Sequence, residues 1–429
     1  MRFGSLCKDT TARSSAGLLI GTTASREVVV GQPLWAGVDA GKSDHYCVVI
    51  DADGKRLLSR RVANDEAALL ELINAITALA DGSELTWAID LNAGGAALLI
   101  ALLIGAEQRL LYIPGRTVHH ASGGYRGEGK TDAKDAAVIA DQARMRRDLQ
   151  PLRPEDDIAV ELRILTSRRT DLVTDRTRAI NRLRAQLLEY FPALERAFDY
   201  SASKAALILL SGYQTPDGLR HAGAARLAAW LRKRKARNAD AVAAAAIEAA
   251  KSQHTVVPGQ QLAAAMVARL AEEVMTLDTE IGDTDAMIEE RFRRHRHAEI
   301  ILSMPGFGVI LGAEFLAATG GDIAAFGNTD RLAAVAGLAP VPRDSGRISG
   351  NLKRPRRYNR RLLRACYLAS HIAIRTDTAS RIYYDRKRAE GKRHTQAVLA
   401  LARRRLNVMW AMLRDHKPYQ PTAPNAAAA

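Results

Sequence analysis

The chain has 429 residues, 47% of them hydrophobic but only 5% aromatic, which excludes global disorder and leaves two or three domains packed mainly by aliphatic side chains and alanine. Lys and Arg exceed Asp and Glu by 62 − 47 = 15, a balance that points to a polyanionic partner such as nucleic acid, although an arginine-rich proteome gives the same excess. Three scattered cysteines (Cys7, Cys47, Cys366) exclude a disulfide framework and suit a reducing cytoplasm, and the longest apolar run, 96–106, is too short for a membrane span and is expected to be a buried helix.

Residues 1–32 are Ser/Thr/Gly-rich and weakly patterned, and are expected to be a loosely ordered extension without a signal peptide. Order begins with an apolar strand over 34–39 that ends in Asp39. Strands over 45–51 and 56–62 follow, joined across Asp53-Gly54, a strong hairpin signal. A helix over 65–80 precedes a strand over 85–90, which again ends in an acid, Asp90. The helix 96–105 and a strand over 109–113 come next. Three strands in a meander, then alternating helices and strands, predict an α/β sheet of ribonuclease-H type over 33–150.

Within that domain, Gly129-Lys130-Thr131 opens an alanine-rich helix. Asp132 and Asp135 stand three apart in its first turn, so their carboxylates share a face. The ordinary reading is a solvated turn in which acids complement the helix dipole. The alternative is a pair held by a cation, because two carboxylates ~4 Å apart repel by roughly 4 kcal/mol at an intermediate dielectric.

Residues 151–297 change character. Leu162, Leu165, Leu172, Ile180, Leu183 and Leu187 recur at helical spacing, as do Leu262, Met266, Leu270, Val274, Leu277, Ile281 and Ile288. Two long amphipathic helices around an alanine-rich helical insert predict an antiparallel coiled-coil hairpin that buries little alone and therefore a dimer. The basic run 233–237 is expected to be a solvated helix end, with nucleic-acid contact as the alternative. A small helical domain over 298–416 and a flexible tail over 417–429 complete the chain. In it, Met304-Pro305-Gly306-Phe307-Gly308 is either a structural turn or a helix start that offers N–H groups to phosphate.

Three constellations carry chemistry. Asp39 and Asp90 end two strands, and Asp132 and Asp135 begin a helix. Brought together, four carboxylates would bind Mg²⁺ or Mn²⁺ through hard oxygen ligands, and such ions assist phosphoryl transfer. From Arg343 to Arg364 the chain has nine Lys/Arg and one acid, Asp344, with Ser345 and Ser349 in a Pro/Gly-rich loop. A charge run is usually a solvated face. Here a serine alcohol among arginines is also a candidate nucleophile toward phosphate. The segment 381–405, with Tyr383 and Tyr384 among many Arg and Lys, fits either a surface helix pair or a backbone-gripping face.

The segments GVDAGKSDHYCVVIDADG, WAIDLNAGG, GKTDAKDAAVIAD, MPGFGVILGAEFLAATGG and LAAVAGLAPVPRDSGRISGNLKRPRRYNRRLLRACYLAS occur in one order with YYDRKRAEGKRHTQAVLALARRRLNVMWAML. Over residues 34–415 the chain resembles the DEDD transposases of the insertion-sequence one-ten family, the group of the Piv invertase and the mini-circle transposases. The resemblance implies a RuvC-like domain, a coiled-coil dimerisation region and a C-terminal transposase domain. It further implies a recombinase that pairs donor and target DNA through a structured bridge RNA.

The family's metal acids map to Asp39, Asp90, Asp132 and Asp135, and its nucleophilic serine to Ser345, or to Ser349 if the loop alignment slips. Arg343, Arg347, Lys353, Arg354, Arg356, Arg357, Tyr358, Arg360, Arg361 and Lys130 would hold nucleic acid. A homodimer assembling to a tetramer, in the bacterial cytoplasm at the nucleoid and away from membranes, is the expected form. The second acid of the family is usually Glu. Asp90 is one methylene shorter, so looser metal geometry is expected. Two rival readings are a metal-dependent Holliday-junction-type nuclease without a covalent serine, and an inactive nucleic-acid-binding relic.

Overall fold

A computed structural model of the chain describes residues 31–421 except 126–128, 130, 153–155 and 348. Lys130, most of the expected N-terminal extension and the end of the expected tail lie outside the described residues. The chain divides into two compact units, 1–154 and 155–429.

The first unit is a mixed α/β domain. In chain order it contains β1 (Leu34–Ala40), β2 (Asp44–Ile50), β3 (Arg56–Ala63), α1 (Glu66–Ala80), β4 (Leu85–Ile89), α2 (Ala97–Gly105), β5 (Arg109–Tyr112), α3 (Gly115–Ser122), α4 (Asp132–Met145) and β6 (Gln150–Pro151). The β2–β3 turn forms because Asp51 Oδ1 accepts the N–H groups of Asp53 and Lys55 while Gly54 takes a φ of +81°. The sheet order is β3-β2-β1-β4-β5-β6. β1 pairs antiparallel with β2 and parallel with β4, and β4 pairs parallel with β5. The two parallel joins need crossovers, which α1 and α2 supply.

Side chains alternate across this sheet. Cys47, Val49, Trp87 and Ile89 pack with Leu69, Leu72 and Ile76 of α1 and Leu99 and Leu103 of α2. Val48, Ile50 and Ala88 face the other way, toward α4. A Cβ on Gly37 would stand 2.3 Å from both the Ala136 oxygen and the Ala140 nitrogen, so α4 rests on bare backbone at the centre of β1. The expectation of a wholly buried helix over 96–106 is corrected: α2 buries one stripe, and Leu98 remains exposed on its outer side.

The second unit is mostly helical. It contains α5 (Asp157–Tyr190), α6 (Pro192–Ala197), α7 (Lys204–Gly212), α8 (Pro216–Lys233), α9 (Ala239–Lys251), α10 (Gln260–Arg294), α11 (Ala298–Ser303), α12 (Val309–Thr319) and α13 (Thr329–Val335). A short ribbon of β7 (Val341–Pro342) and β8 (Leu352–Lys353) precedes α14 (Arg360–Thr376), α15 (Thr378–Ala389) and α16 (His394–Arg414). Helices α5 and α10 run antiparallel, as the ion pairs Glu161–Arg291, Arg169–Asp285 and Arg176–Asp278 require.

This helix pair buries much more than expected. At one end α6–α9 fold over it, enclosing Tyr190, Phe191, Tyr200, Leu209, Leu231, Val267 and Val274. Near Asp157 and Arg294, Leu162, Ile288 and Phe292 join a second core with Phe315, Leu362 and Met409. The Pro305-Gly306 turn is structural in this fold. Gly306, at φ +84°, lies against the backbone of Ala369, and the Pro305 carbonyl accepts from buried Arg405. No helix among the described residues is long and apolar enough to cross a membrane.

Candidate active site

Asp39 lies near the end of β1, and Asp90 immediately follows its parallel neighbour β4. Apolar strand residues end there because the chain emerges from the core, which leaves both carboxylates at one edge of the sheet. Asp90 Oδ1 accepts the backbone N–H of Ala40 at 3.1 Å, tying the two strand ends together. Thr131 caps α4 by accepting the Lys134 N–H at 3.2 Å, which places Asp132 and Asp135 in the first turn.

Asp39, Asp90 and Asp135 line one cleft of about 310 Å³ together with His119, Ser122 and Lys134. Asp132 faces a neighbouring hollow of about 200 Å³, which Asp39 also lines, with Lys42, Tyr46 and Arg61. There Arg61 donates to Asp132 at 2.8 Å. The four sequence-selected acids thus gather around Asp39, but on two sides of it.

Burial pushes the Asp90 carboxyl above the ordinary carboxylate range. The charge of Asp135 adds to that push, while the Ala40 N–H and His45 oppose it. A half-buried acid resisting ionisation beside other carboxylates is a donor set for a hard divalent cation. Among the described residues, however, no three His, Cys, Asp or Glu side chains are gathered tightly enough to hold an ion as they stand.

The basic loop lies in the other unit. The backbone N–H of Arg343 donates to the Asn351 carbonyl at 2.9 Å, and Asp344 accepts the Asn351 N–H at 2.9 Å. The one acid of the stretch is therefore used to close the loop, which leaves Ser345, Arg347 and Ser349 exposed at its tip. Arg343, Lys353, Arg354, Arg356, Arg357 and Arg360 are exposed as well. Tyr358 is anchored against Gly337 and takes the Arg354 guanidinium on its ring at 4.6 Å and on its hydroxyl at 2.6 Å. Arg361 differs from its neighbours: it turns back to donate to Ser167 of α5 at 2.8 Å. Arg364 likewise pairs with the buried Glu314.

On α15 and α16, Tyr383 is flanked by Arg386, Lys387 and Arg404 at 4.9 to 5.5 Å from its ring centre. Several cations of this face are already paired, as Arg381 is with Asp385 and Lys387 with Glu390. Sequence reasoning missed Arg61, His119 and Lys134. Arg61 and His119 reach the acids only through tertiary packing, whereas Lys134 stands between Asp132 and Asp135 in the first turn of α4 and could have been found there.

Two family models match the chain. One, for DEDD-type IS110 transposases, covers residues 36–192, and the other, the transposase IS116/IS110/IS902 family, covers 298–385. The 42 kDa protein of insertion element IS900 from Mycobacterium paratuberculosis is 80% identical over 93% of this chain and 100% of its own length. The 44.8 kDa protein of IS116 from Streptomyces clavuligerus is 52% identical over 91% of this chain and 97% of its own. The 43.6 kDa protein of IS110 from Streptomyces coelicolor is 36% identical, covering 91% and 96% respectively. With its acids at one sheet edge and both family matches in sequence order, the chain belongs to the IS110-type insertion-sequence transposases, which are DNA-cutting recombination enzymes.

Proposed function

We propose that this transposase is an RNA-guided recombinase in which Ser345 attacks a DNA phosphodiester while the acidic cluster serves a divalent metal. The observation that carries the reading is the cleft at the β1 and β4 ends, where Asp39, Asp90 and Asp135 meet. The sheet order supports assigning the first unit to the RuvC-like, ribonuclease-H class. The antiparallel pair α5/α10 supports a coiled-coil dimerisation element, and a tetramer would assemble from such dimers. The exposed arginines around Ser345 support contact with DNA and with a structured bridge RNA.

Asp39, Asp90 and Asp135 would hold Mg²⁺ or Mn²⁺, with Asp132 a fourth ligand once it leaves Arg61. Such an ion supplies charge neutralisation at the scissile phosphate. Asp90 keeps its carboxylate oriented through the Ala40 N–H. Arg343, Arg347 and Lys353 would bind the backbone phosphates and offset their charge, so that the serine oxygen can approach. An Oγ–P bond forms and the bond from phosphorus to one sugar oxygen breaks. The serine proton passes to solvent, and the departing sugar oxygen takes one up. The resulting phosphoserine ester retains the linkage, so an incoming sugar hydroxyl can displace serine and rejoin the strand.

Trapping the covalent adduct on a radiolabelled DNA junction tests this reading. Wild type gives a denaturant-resistant adduct, and Ser345→Ala abolishes it while leaving DNA binding intact. An adduct that persists in Ser345→Ala and disappears in Ser349→Ala moves the nucleophile to Ser349. Metal-dependent cleavage with no adduct in wild type replaces the reading by a junction nuclease.

A further inference from the structure

Asn64, at the turn between β3 and α1, is bonded to both loops that follow the acid-bearing strands. Its side-chain Nδ2 donates to the Lys42 carbonyl at 3.1 Å, in the loop after Asp39. The same nitrogen donates to the Gly95 carbonyl at 2.9 Å, in the loop after Asp90. Its backbone N–H donates to Ser43 at 2.8 Å, so a single residue grips the first loop twice and the second once. The loops touch directly as well: a Cβ on Gly95 would stand 2.7 Å from the Gly41 carbonyl oxygen.

Behind this amide lies His45, 1% exposed, with neither ring nitrogen within hydrogen-bonding geometry of a partner. Asn64 Oδ1 is buried and without a hydrogen-bond partner too, and burial lowers the His45 pKa while the neighbouring Asn64 amide opposes that shift. The imidazole and the amide oxygen are thus neighbouring buried polar groups, with the amide N–H groups directed to the loops. Nothing in β-strand or helix formation requires an asparagine with these contacts. Its backbone N–H to Ser43 is the last rung of the β2–β3 ladder, which any residue could supply, but its side chain belongs neither to that ladder nor to the first turn of α1, whose cap is Asp65.

We infer that Asn64, backed by His45, is a positioning residue that sets the spacing between Asp39 and Asp90 for metal binding. The inference rests on the metal reading given above for those acids. A carboxylate pair drawn from two separate strands has its separation set by whatever joins the strand ends. The β1–β4 ladder joins the strands as far as Val38 and Ile89, and beyond it the Ala40 N–H to Asp90 and the Asn64 amide hold the diverging ends. Residues that orient metal ligands without touching the ion typically govern affinity by about 10–100-fold.

The test is a titration of the full-length protein with Mn²⁺, following the free-ion signal by electron paramagnetic resonance, alongside a thermal melt without metal. Asn64→Ala is expected to weaken Mn²⁺ binding at least about tenfold. Gly95→Ala, which forces the two loops apart without removing the amide, should weaken it similarly. Ile76→Ala opens a cavity under the far end of α1, and should lower the melting temperature with Mn²⁺ affinity unchanged. Unaltered Mn²⁺ affinity in both Asn64→Ala and Gly95→Ala overturns the positioning role. So does a loss of affinity in Ile76→Ala equal to theirs, which would make it an effect of stability alone. If instead Asp39→Asn and Asp90→Asn bind Mn²⁺ as tightly as wild type, the metal reading itself fails, and the positioning role with it.

Discussion

Arg61 of β3 donates to Asp132 of α4 at 2.8 Å, across 71 residues of sequence, and both side chains are more than half exposed. An exposed pair of this kind contributes roughly 0.2–1 kcal/mol, so it is easily exchanged for another cation. Arg61→Ala should leave the melting temperature almost unchanged. It should also lower the Mn²⁺ concentration needed for half-maximal DNA cleavage by up to about fivefold, the equivalent of roughly 1 kcal/mol. A rise in that concentration would show instead that Arg61 itself serves the substrate phosphate.

Asp90 has the opposite character. Burial and the charge of Asp135 raise its folded-state pKa, so its stabilising contribution is present at low pH and is lost as pH rises through the raised value. At neutral pH the ionised carboxylate is therefore a cost to the metal-free fold. Asp90→Asn keeps an acceptor for the Ala40 N–H and removes the charge. It should stabilise the metal-free protein by about 1 kcal/mol, a few degrees in melting temperature, while abolishing cleavage. Melting curves at pH 8 and at pH 4, close to the ordinary carboxylate value of 3.8, check this, because the gain should shrink at the lower pH.

Gly37 carries a steric prediction. With a Cβ placed 2.3 Å from two backbone atoms of α4, Gly37→Ala must lift the helix from the sheet. Backbone cannot swing aside as a flexible side chain would, so a loss of at least about 3 kcal/mol is expected, large enough to appear as poor expression or a much lowered denaturant midpoint. Gly105→Ala, at the end of α2 with open space around it and no positive φ, tests whether steric contact rather than glycine loss is the cause.

A histidine group in the second unit predicts acid sensitivity. His295 and His297 are 4% exposed, their rings 5.3 Å apart, and His416 stacks on His297 at 5.5 Å. Burial pushes His297 down to about 4, helped by His295, Arg296 and His416, while Asp322 opposes the shift and Asp156 faces His295 at 3.7 Å. The unfolded chain takes up a proton near 6.5, whereas the folded one resists until about 4. Stability should fall as pH drops through that window, by on the order of 3 kcal/mol from this residue. Urea midpoints measured from pH 7.5 to 4.5 should show the slope, and His297→Gln should flatten it.

The sheet was legible because its signals are local. Asp53-Gly54 announces a hairpin, and apolar runs ending at Asp39 and Asp90 mark where strands leave the core. The paired acids of α4 were harder. Residues three apart differ by about 60° around a helix, so sharing a face did not mean sharing a cleft. Asp39 divides Asp135 on one side from Asp132 on the other. Arg61 and Asn64 were invisible because their partners lie in other strands and loops. Arg361 was misleading for a related reason. In sequence it is one more cation of a basic run, but the turn of α14 directs it back to Ser167. The small burial expected of the hairpin failed because a period of three and four reveals that a helix packs, not how much the intervening segment will cover.

The antiparallel course of α5 and α10 has a consequence for how such a chain can vary. Glu161 pairs with Arg291, so the chain enters and leaves this hairpin at one end, near Leu162 and Phe292. Everything from Phe191 to Gly259 is hung on the opposite end around its own core. Residues can be gained or lost there without changing where the polypeptide re-emerges to build the serine loop. The distal helices are in this sense an exchangeable head on a fixed stem, and differences in length between relatives should concentrate there.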